Sequence, residues 1–155
     1  MAEREVATIL MIEDEPTDAA LIERAFQRAK VLNPIVHIKN GDDALAYLAG
    51  VAKYANRIEY PLPALILLDL KMPGMTGLQL LQWMRTNRDV RRIPVVVLTA
   101  DDTPATVNAA YELGANSYLV KPGDPKQIVR LVELIQSYWM ELNQPPPLVM
   151  QAAEK

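Results

Sequence analysis

Five short apolar runs, separated by stretches of helical periodicity, narrow what this chain can fold into more than any other feature. The runs are Val6 to Ile12, Ile35 to Ile38, Leu65 to Leu68, Val95 to Leu98, and Tyr118 to Val120. The third and fourth are continuous and partly β-branched, which suits strands buried on both faces of a parallel sheet. Between the runs, Leu21, Ile22, Ala25, Phe26 and Ala29 form one helical stripe, backed by Glu23, Arg24 and Arg28. Leu78, Leu81 and Met84 recur at three-residue spacing after Gly77. Ile128, Leu131, Val132, Ile135, Tyr138, Trp139 and Leu142 make the longest stripe, in a helix expected from about Pro125. The alternation reads βαβαβαβαβα, and parallel strands joined by crossover helices give a three-layer α/β domain.

At 155 residues, half of them hydrophobic, the chain has the size of one domain with a real core. Asn40-Gly41 could open a hairpin, but Asp42 and Asp43 followed by Ala44, Leu45 and Leu48 point to a helix capped by Asp42. A long connection runs from Val51 to Pro63, and a proline-rich tail follows the last helix, so the domain is expected over 1–143 and the tail over 144–155. A formal net charge of −3 argues against a nucleic-acid binder. The cluster Arg85, Arg88, Arg91 and Arg92 is interrupted by Asp89 and reads as a solvated helix end. The absence of cysteine excludes disulfides and thiolate chemistry. Met1 to Val6 lacks an apolar signal core, and no apolar run approaches the roughly 20 residues that span a bilayer. A cytoplasmic protein with no membrane contact is expected.

Carboxylates sit at the C-terminal ends of two runs: Glu13 and Asp14 after the first, with Glu15 just beyond, and Asp69 after the third. In an open parallel sheet ligands bind outside the carboxyl ends of the strands, where strand order reverses. If the first and third strands are neighbours, these acids converge, and their mutual repulsion calls for a hard divalent cation, Mg²⁺ or Mn²⁺. Thr99 follows the fourth run and Lys121 the fifth. A phosphoryl group on Asp69 could be held by the metal, by Lys121, and by the Thr99 hydroxyl with nearby backbone N–H groups. Each residue alone has an ordinary explanation as a cap or loop residue. Four strands ending in acid pair, acid, hydroxyl and ammonium do not.

The chain closely resembles the receiver domain of two-component response regulators. The resemblance rests on Ile12-Glu13-Asp14, the stretch from Leu67 to Gly77 that includes Asp69-Leu70-Lys71-Met72-Pro73-Gly74, Val97-Leu98-Thr99-Ala100, and Gly114 to Pro122, in family order. It implies a flavodoxin-like (βα)5 fold with strand order 2-1-3-4-5. Asp69 would accept a phosphoryl group from a histidine kinase. Glu13, Asp14, Asp69 and the backbone carbonyl of Lys71 would hold the metal. Lys121 would bind a phosphoryl oxygen, and its bond to Pro122 is expected to be cis. Thr99 and Tyr118 correspond to the switch pair, while Lys71, Ala100 and Asp101 flank the path of attacking water and tune the dephosphorylation rate. Glu13 stands where aspartate is common, Thr76 likewise, and Gly123 replaces a bulky apolar residue after Pro122.

The long connection and the stretch from Asp42 to Leu48 look like the single-domain regulators that partner cyanobacterial phytochrome kinases. That likeness implies a homodimer through the fourth helix, fifth strand and fifth helix with the C-terminal segment, and output by protein contact. Leu134, Tyr138, Trp139, Met140 and Leu142 exceed what one core-facing stripe needs, which fits such a dimer. His37, inside the second strand, and Met11, Met72, Met75 and Met84 are read as packing residues. Pro145-Pro146-Pro147 is read as a stiff tail. Two rivals stand beside the switch: an aspartyl-phosphate phosphohydrolase, disfavoured by Lys71 where a second acid is needed, and an unphosphorylated docking module.

Overall fold

The computed structural model describes residues 7–147. Its elements are β1 (Ile9–Ile12), α1 (Pro16–Arg28), β2 (Ile35–Ile38), α2 (Gly41–Ala49), β3 (Leu65–Leu68), α3 (Gly77–Arg85), β4 (Val95–Thr99), α4 (Pro104–Glu112), β5 (Ser117–Val120) and α5 (Pro125–Ile135). A 3₁₀ turn spans Ala52–Tyr54, and Gln136–Leu142 extends α5 as a π-helix. The strands form one parallel sheet in the order β2-β1-β3-β4-β5. This is the flavodoxin-like order, and its switch point lies between β1 and β3.

Strand periodicity divides the core in two. Leu10, Ile12, Ile66, Leu68, Val95 and Val97 face α2, α3 and α4, where they meet Tyr47, Leu48, Leu80, Leu81 and Met84. Ile9, Met11, Leu65, Leu67, Val96 and Leu98 face the other way, against Ile22 and Phe26 of α1 and Val132 and Ile135 of α5. Burial of a side chain such as Ile22 or Phe26 contributes about 1.5–3 kcal/mol.

Three local expectations are corrected. Asn40, not Asp42, caps α2: its side-chain oxygen accepts the Asp43 N–H at 2.7 Å, leaving Asp42 and Asp43 in the first turn to complement the helix dipole. The first strand begins at Ile9, and Val6 lies outside the described residues. The apolar stripe of α5 does not run straight to Leu142. The i→i+5 spacing of the π-helical turns returns Met140, five residues after Ile135, to the core, and leaves Tyr138 and Leu142 exposed.

The connection after α2 is a packed element. Tyr47, Tyr54 and Tyr60 cluster with ring centroids 5.1 to 6.0 Å apart. Burial pushes the Tyr47 hydroxyl above its ordinary pKa, and that hydroxyl donates to the Pro61 carbonyl at 2.7 Å. The Arg57 guanidinium donates to the carbonyls of Tyr47, Leu48 and Tyr60 at 2.8 to 3.1 Å, satisfying the open end of α2. Past Asn143 the chain is no longer helical, and Arg92 donates to the Pro147 carbonyl at 3.2 Å. The rest of the expected tail lies outside the described residues. No helix among the described residues is long and apolar enough to cross a membrane.

Candidate functional site

Parallel pairing of β1 with β3, Ile12 opposite Leu68, brings the first acid pair beside Asp69. The Asp69 N–H bonds the Ile12 carbonyl at 3.0 Å, carrying the ladder one residue past the strand. One carboxylate oxygen from each of Glu13, Asp14 and Asp69 lies within 4.8 Å of the others. Glu13 and Asp69 are buried, Asp14 is half-buried, and exposed Glu15 stands apart as the cap of α1, accepting the Thr17 N–H at 3.0 Å. An all-carboxylate donor set in a small pocket suits a hard divalent cation and offers nothing to a thiophilic one.

The α3 side closes tightly on this pocket. A Cβ on Gly77 would meet the Asp69 carbonyl oxygen and the Leu70 Cα at 2.7 Å, so a residue without a side chain is required there. Thr76 and Gln79 start α3 with a reciprocal capping box, so Thr76 serves the helix start well. His37 Nε2 lies 2.8 Å from the Glu13 carbonyl; because a carbonyl only accepts, that nitrogen carries the proton. The histidine is thus a partner of the Glu13 backbone.

Lys121 reaches in from the end of β5. Its N–H bonds the Thr99 carbonyl at 2.8 Å, and its Nζ lies 2.6 Å from Glu13 Oε1 and 3.2 Å from Asp69 Oδ2. A third partner was not anticipated: Asp18 Oδ2, at 2.8 Å from the first turn of α1. Its position four residues after Asp14 was the available signal, but a helical acid there reads equally well as solvated surface. Burial works against the charge on Lys121. The bonds to Asp18 and Glu13 and the charge of Asp69 outweigh it, so the ammonium holds its proton more firmly than an ordinary lysine. For Glu13, burial is the largest influence and Asp69 adds to it. Together they overcome the Lys121 bond and push the carboxyl up to about 7.

On the far side, Thr99 is buried and its hydroxyl accepts the Asp101 N–H at 3.5 Å. Half-buried Tyr118 donates its hydroxyl to the Asp101 carbonyl at 2.6 Å, and its ring lies 6.5 Å from that of Tyr111. Burial, then the nearby charge of Asp101, raises its pKa. The Thr103 backbone N–H, at 2.9 Å, holds the Asp101 carboxyl below its usual range. Lys71 donates its backbone N–H to Asp69 Oδ1 at 3.2 Å and extends an exposed ammonium to within 3.8 Å of Asp101. Ala100 is exposed beside Thr99.

One expected feature is overturned. The Lys121–Pro122 bond is not cis; no cis peptide occurs among the described residues. Trans is favoured by about 0.5–1 kcal/mol before an X–Pro bond unless packing imposes the other isomer. Here Gly123 offers no side chain, and a Cβ built on it would touch nothing within 4 Å.

Residues 9–133 match the profile of the response regulator receiver domain. The chain belongs to this family. It is 36% identical over 133 residues to response regulator Rcp1 of Synechocystis sp., covering 86% of this chain and 88% of that protein. Among solved structures, the phosphorylated cyanobacterial phytochrome response regulator RcpA superposes with a TM-score of 0.85 at 31% identity, over 92% of this chain and 99% of that one. The Mn²⁺-bound form of Rcp1 gives 0.82 at 34% identity, over 91% and 99%. The chain is therefore a receiver domain related to the phytochrome response regulators, a group of phosphoacceptor switches.

Proposed function

We propose that this receiver accepts a phosphoryl group on Asp69 from a histidine kinase linked to a phytochrome, in a Mg²⁺-dependent reaction, and signals by protein contact. The observation that carries the reading is the meeting of groups from three strand ends: Glu13 and Asp14 cluster with Asp69, Lys121 brings its Nζ to 3.2 Å from Asp69, and buried Thr99 ends the neighbouring strand β4. Glu13, Asp14, Asp69 and the Lys71 carbonyl would hold Mg²⁺ or Mn²⁺. When bound, that ion compensates the charge of the phosphoryl oxygens. The Mn²⁺-bound form of Rcp1 supports this assignment.

The chain's own groups then divide the work. Asp69 supplies the attacking oxygen, and Lys121 offers an N–H to a phosphoryl oxygen. The Thr99 hydroxyl turns from the Asp101 N–H toward the phosphoryl group, and Tyr118 follows by exchanging its bond to the Asp101 carbonyl. Lys71, Ala100 and Asp101 border the path of water and govern loss of the phosphoryl group. The phosphohydrolase alternative has less support, because Lys71, two residues after Asp69, brings an ammonium where that chemistry needs an acid.

The reading extends to a cytoplasmic protein with a receiver over 1–143 and a tail over 144–155, acting by protein contact and not on nucleic acid. It includes a homodimer through α4, β5, α5 and the C-terminal segment. Exposed Tyr111, Val120, Leu134, Tyr138 and Leu142 on these elements support the dimer. Labelling by radioactive acetyl phosphate tests the core of the proposal. Incorporation that needs Mg²⁺, stops with EDTA and is lost in Asp69→Asn is expected; undiminished labelling of Asp69→Asn would refute it. Phosphotransfer from the host's histidine kinases tests the partner, and light scattering that finds a monomer with and without phosphorylation would remove the dimer.

A further inference from the structure

We propose that Asp18 is a positioning residue for Lys121, holding its ammonium beside Asp69 during phosphoryl transfer; this rests on the phosphoacceptor reading above. Lys121 Nζ has three N–H donors and three carboxylate partners: Glu13 at 2.6 Å, Asp18 at 2.8 Å and Asp69 at 3.2 Å. Two of these, Glu13 and Asp69, belong to the carboxylate cluster assigned to the metal. Their charge is shared with a cation whenever the site is loaded, and Asp69 also gives up its charge to the phosphoryl group. Asp18 is the partner that lies outside that cluster.

It also comes from a different element. Lys121 leaves the end of β5 on a flexible four-carbon stem, and Asp18 projects from the first turn of α1. The bond between them ties the sheet's last strand to the first helix across the mouth of the site. Transfer from acetyl phosphate forms a bond from an Asp69 carboxylate oxygen to phosphorus as the bond from phosphorus to the acetate oxygen breaks. Acetate leaves with the electron pair, and one of the three remaining phosphoryl oxygens faces Lys121. The N–H now directed at Asp69 is the one that passes to this oxygen, while Asp18 keeps the ammonium in place.

Asp18 and Lys121 both line a cleft of about 160 Å³ with Pro122 and Gly123, and the Asp18 side chain is 38% exposed, so a longer acid has room there. A plain structural role exists as well, since an acid in a first helical turn stabilises the helix. The test separates the two. The full chain, with saturating Mg²⁺, is labelled by acetyl phosphate over hours so that slow reactions are counted. Asp18→Asn should lower the rate at saturating donor on the order of tenfold, the scale of one charge-assisted hydrogen bond, without changing the half-saturating donor concentration. Asp18→Glu should restore most of the rate. In a Lys121→Met background, Asp18→Asn should have no further effect. A wild-type rate for Asp18→Asn, or the same fold loss with and without Lys121, would overturn the proposal while leaving Asp69 as acceptor. No labelling of the wild-type chain would instead remove the phosphoacceptor reading itself.

Discussion

Glu13 gives the most direct physical test of the site, because its ionisation is costly in the metal-free protein. Its carboxyl is 2% exposed and sits beside Asp69, and its pKa rises from 4.5 to about 7. An acid whose folded pKa is raised binds its proton more tightly in the folded than in the unfolded state. Folding stability is therefore unaffected below about pH 4.5, where both states are protonated, and falls as pH rises toward 7. The shift corresponds to a loss of about 3 kcal/mol over that window. Urea unfolding of EDTA-treated protein at pH 5 and pH 8 measures it, with Glu13→Gln as reference. The wild type should lose stability relative to the variant as pH rises, and parallel pH profiles would refute the reasoning. The metal supplies a second readout. Holding Glu13 ionised, Mg²⁺ binding should release a larger fraction of a proton at pH 6 than at pH 8. Calorimetry in buffers of different ionisation heat detects this release, and equal release at both pH values would count against a protonated Glu13.

Lys71→Ala and Asp101→Ala should change dephosphorylation several-fold more than phosphorylation, since Lys71 follows Asp69 by two residues and its ammonium reaches Asp101; equal effects on the two rates would contradict this. Arg57→Ala should cost about 2 kcal/mol in urea unfolding, because the Leu48 and Tyr60 carbonyls lose the guanidinium, the Tyr47 carbonyl keeps only the Gly50 N–H, and the Tyr47 ring loses the cation 5.9 Å from its centroid. Met140→Ala should cost about 2–4 kcal/mol, the range for emptying a buried site, whereas Leu142→Ala, exposed on the same π-helical segment, should cost little.

Much of the site was legible before any coordinates, and the reason is topological. A parallel sheet aligns all of its strand ends on one edge, so residues closing successive apolar runs must share that edge whatever the details of packing. Glu13, Asp14, Asp69, Thr99 and Lys121 were readable for this reason, as were strands such as Leu65–Leu68, whose continuous apolar run admits little else. Asp18 was not readable. A carboxylate on a helix has no strand end to mark it, and its partner lies 103 positions away. Nor was the Lys121–Pro122 isomer readable, since the two isomers of an X–Pro bond differ by only about 0.5–1 kcal/mol.

The amino-acid sequence by itself determined the layered parallel fold, the strand order implied by its family likeness, and the identity of the acids, hydroxyl and ammonium that meet at the β1–β3 switch point. The layered fold and the residues at the strand ends follow from local hydrophobic period and from which residue ends each run; the strand order came with the family likeness. Tertiary structure alone decided how the groups are shared. It gave Lys121 a third carboxylate, and it paired His37 with the Glu13 backbone and Tyr118 with the Asp101 carbonyl. It also bound the long connection to α2 through Arg57, and turned Met140 inward by widening the last helical turns. The pairings of Lys121, His37 and Tyr118 depend on distances between elements remote in sequence, and the Arg57 bonds and the π-helical turns on how a segment packs against its neighbours, neither of which a hydrophobic pattern encodes.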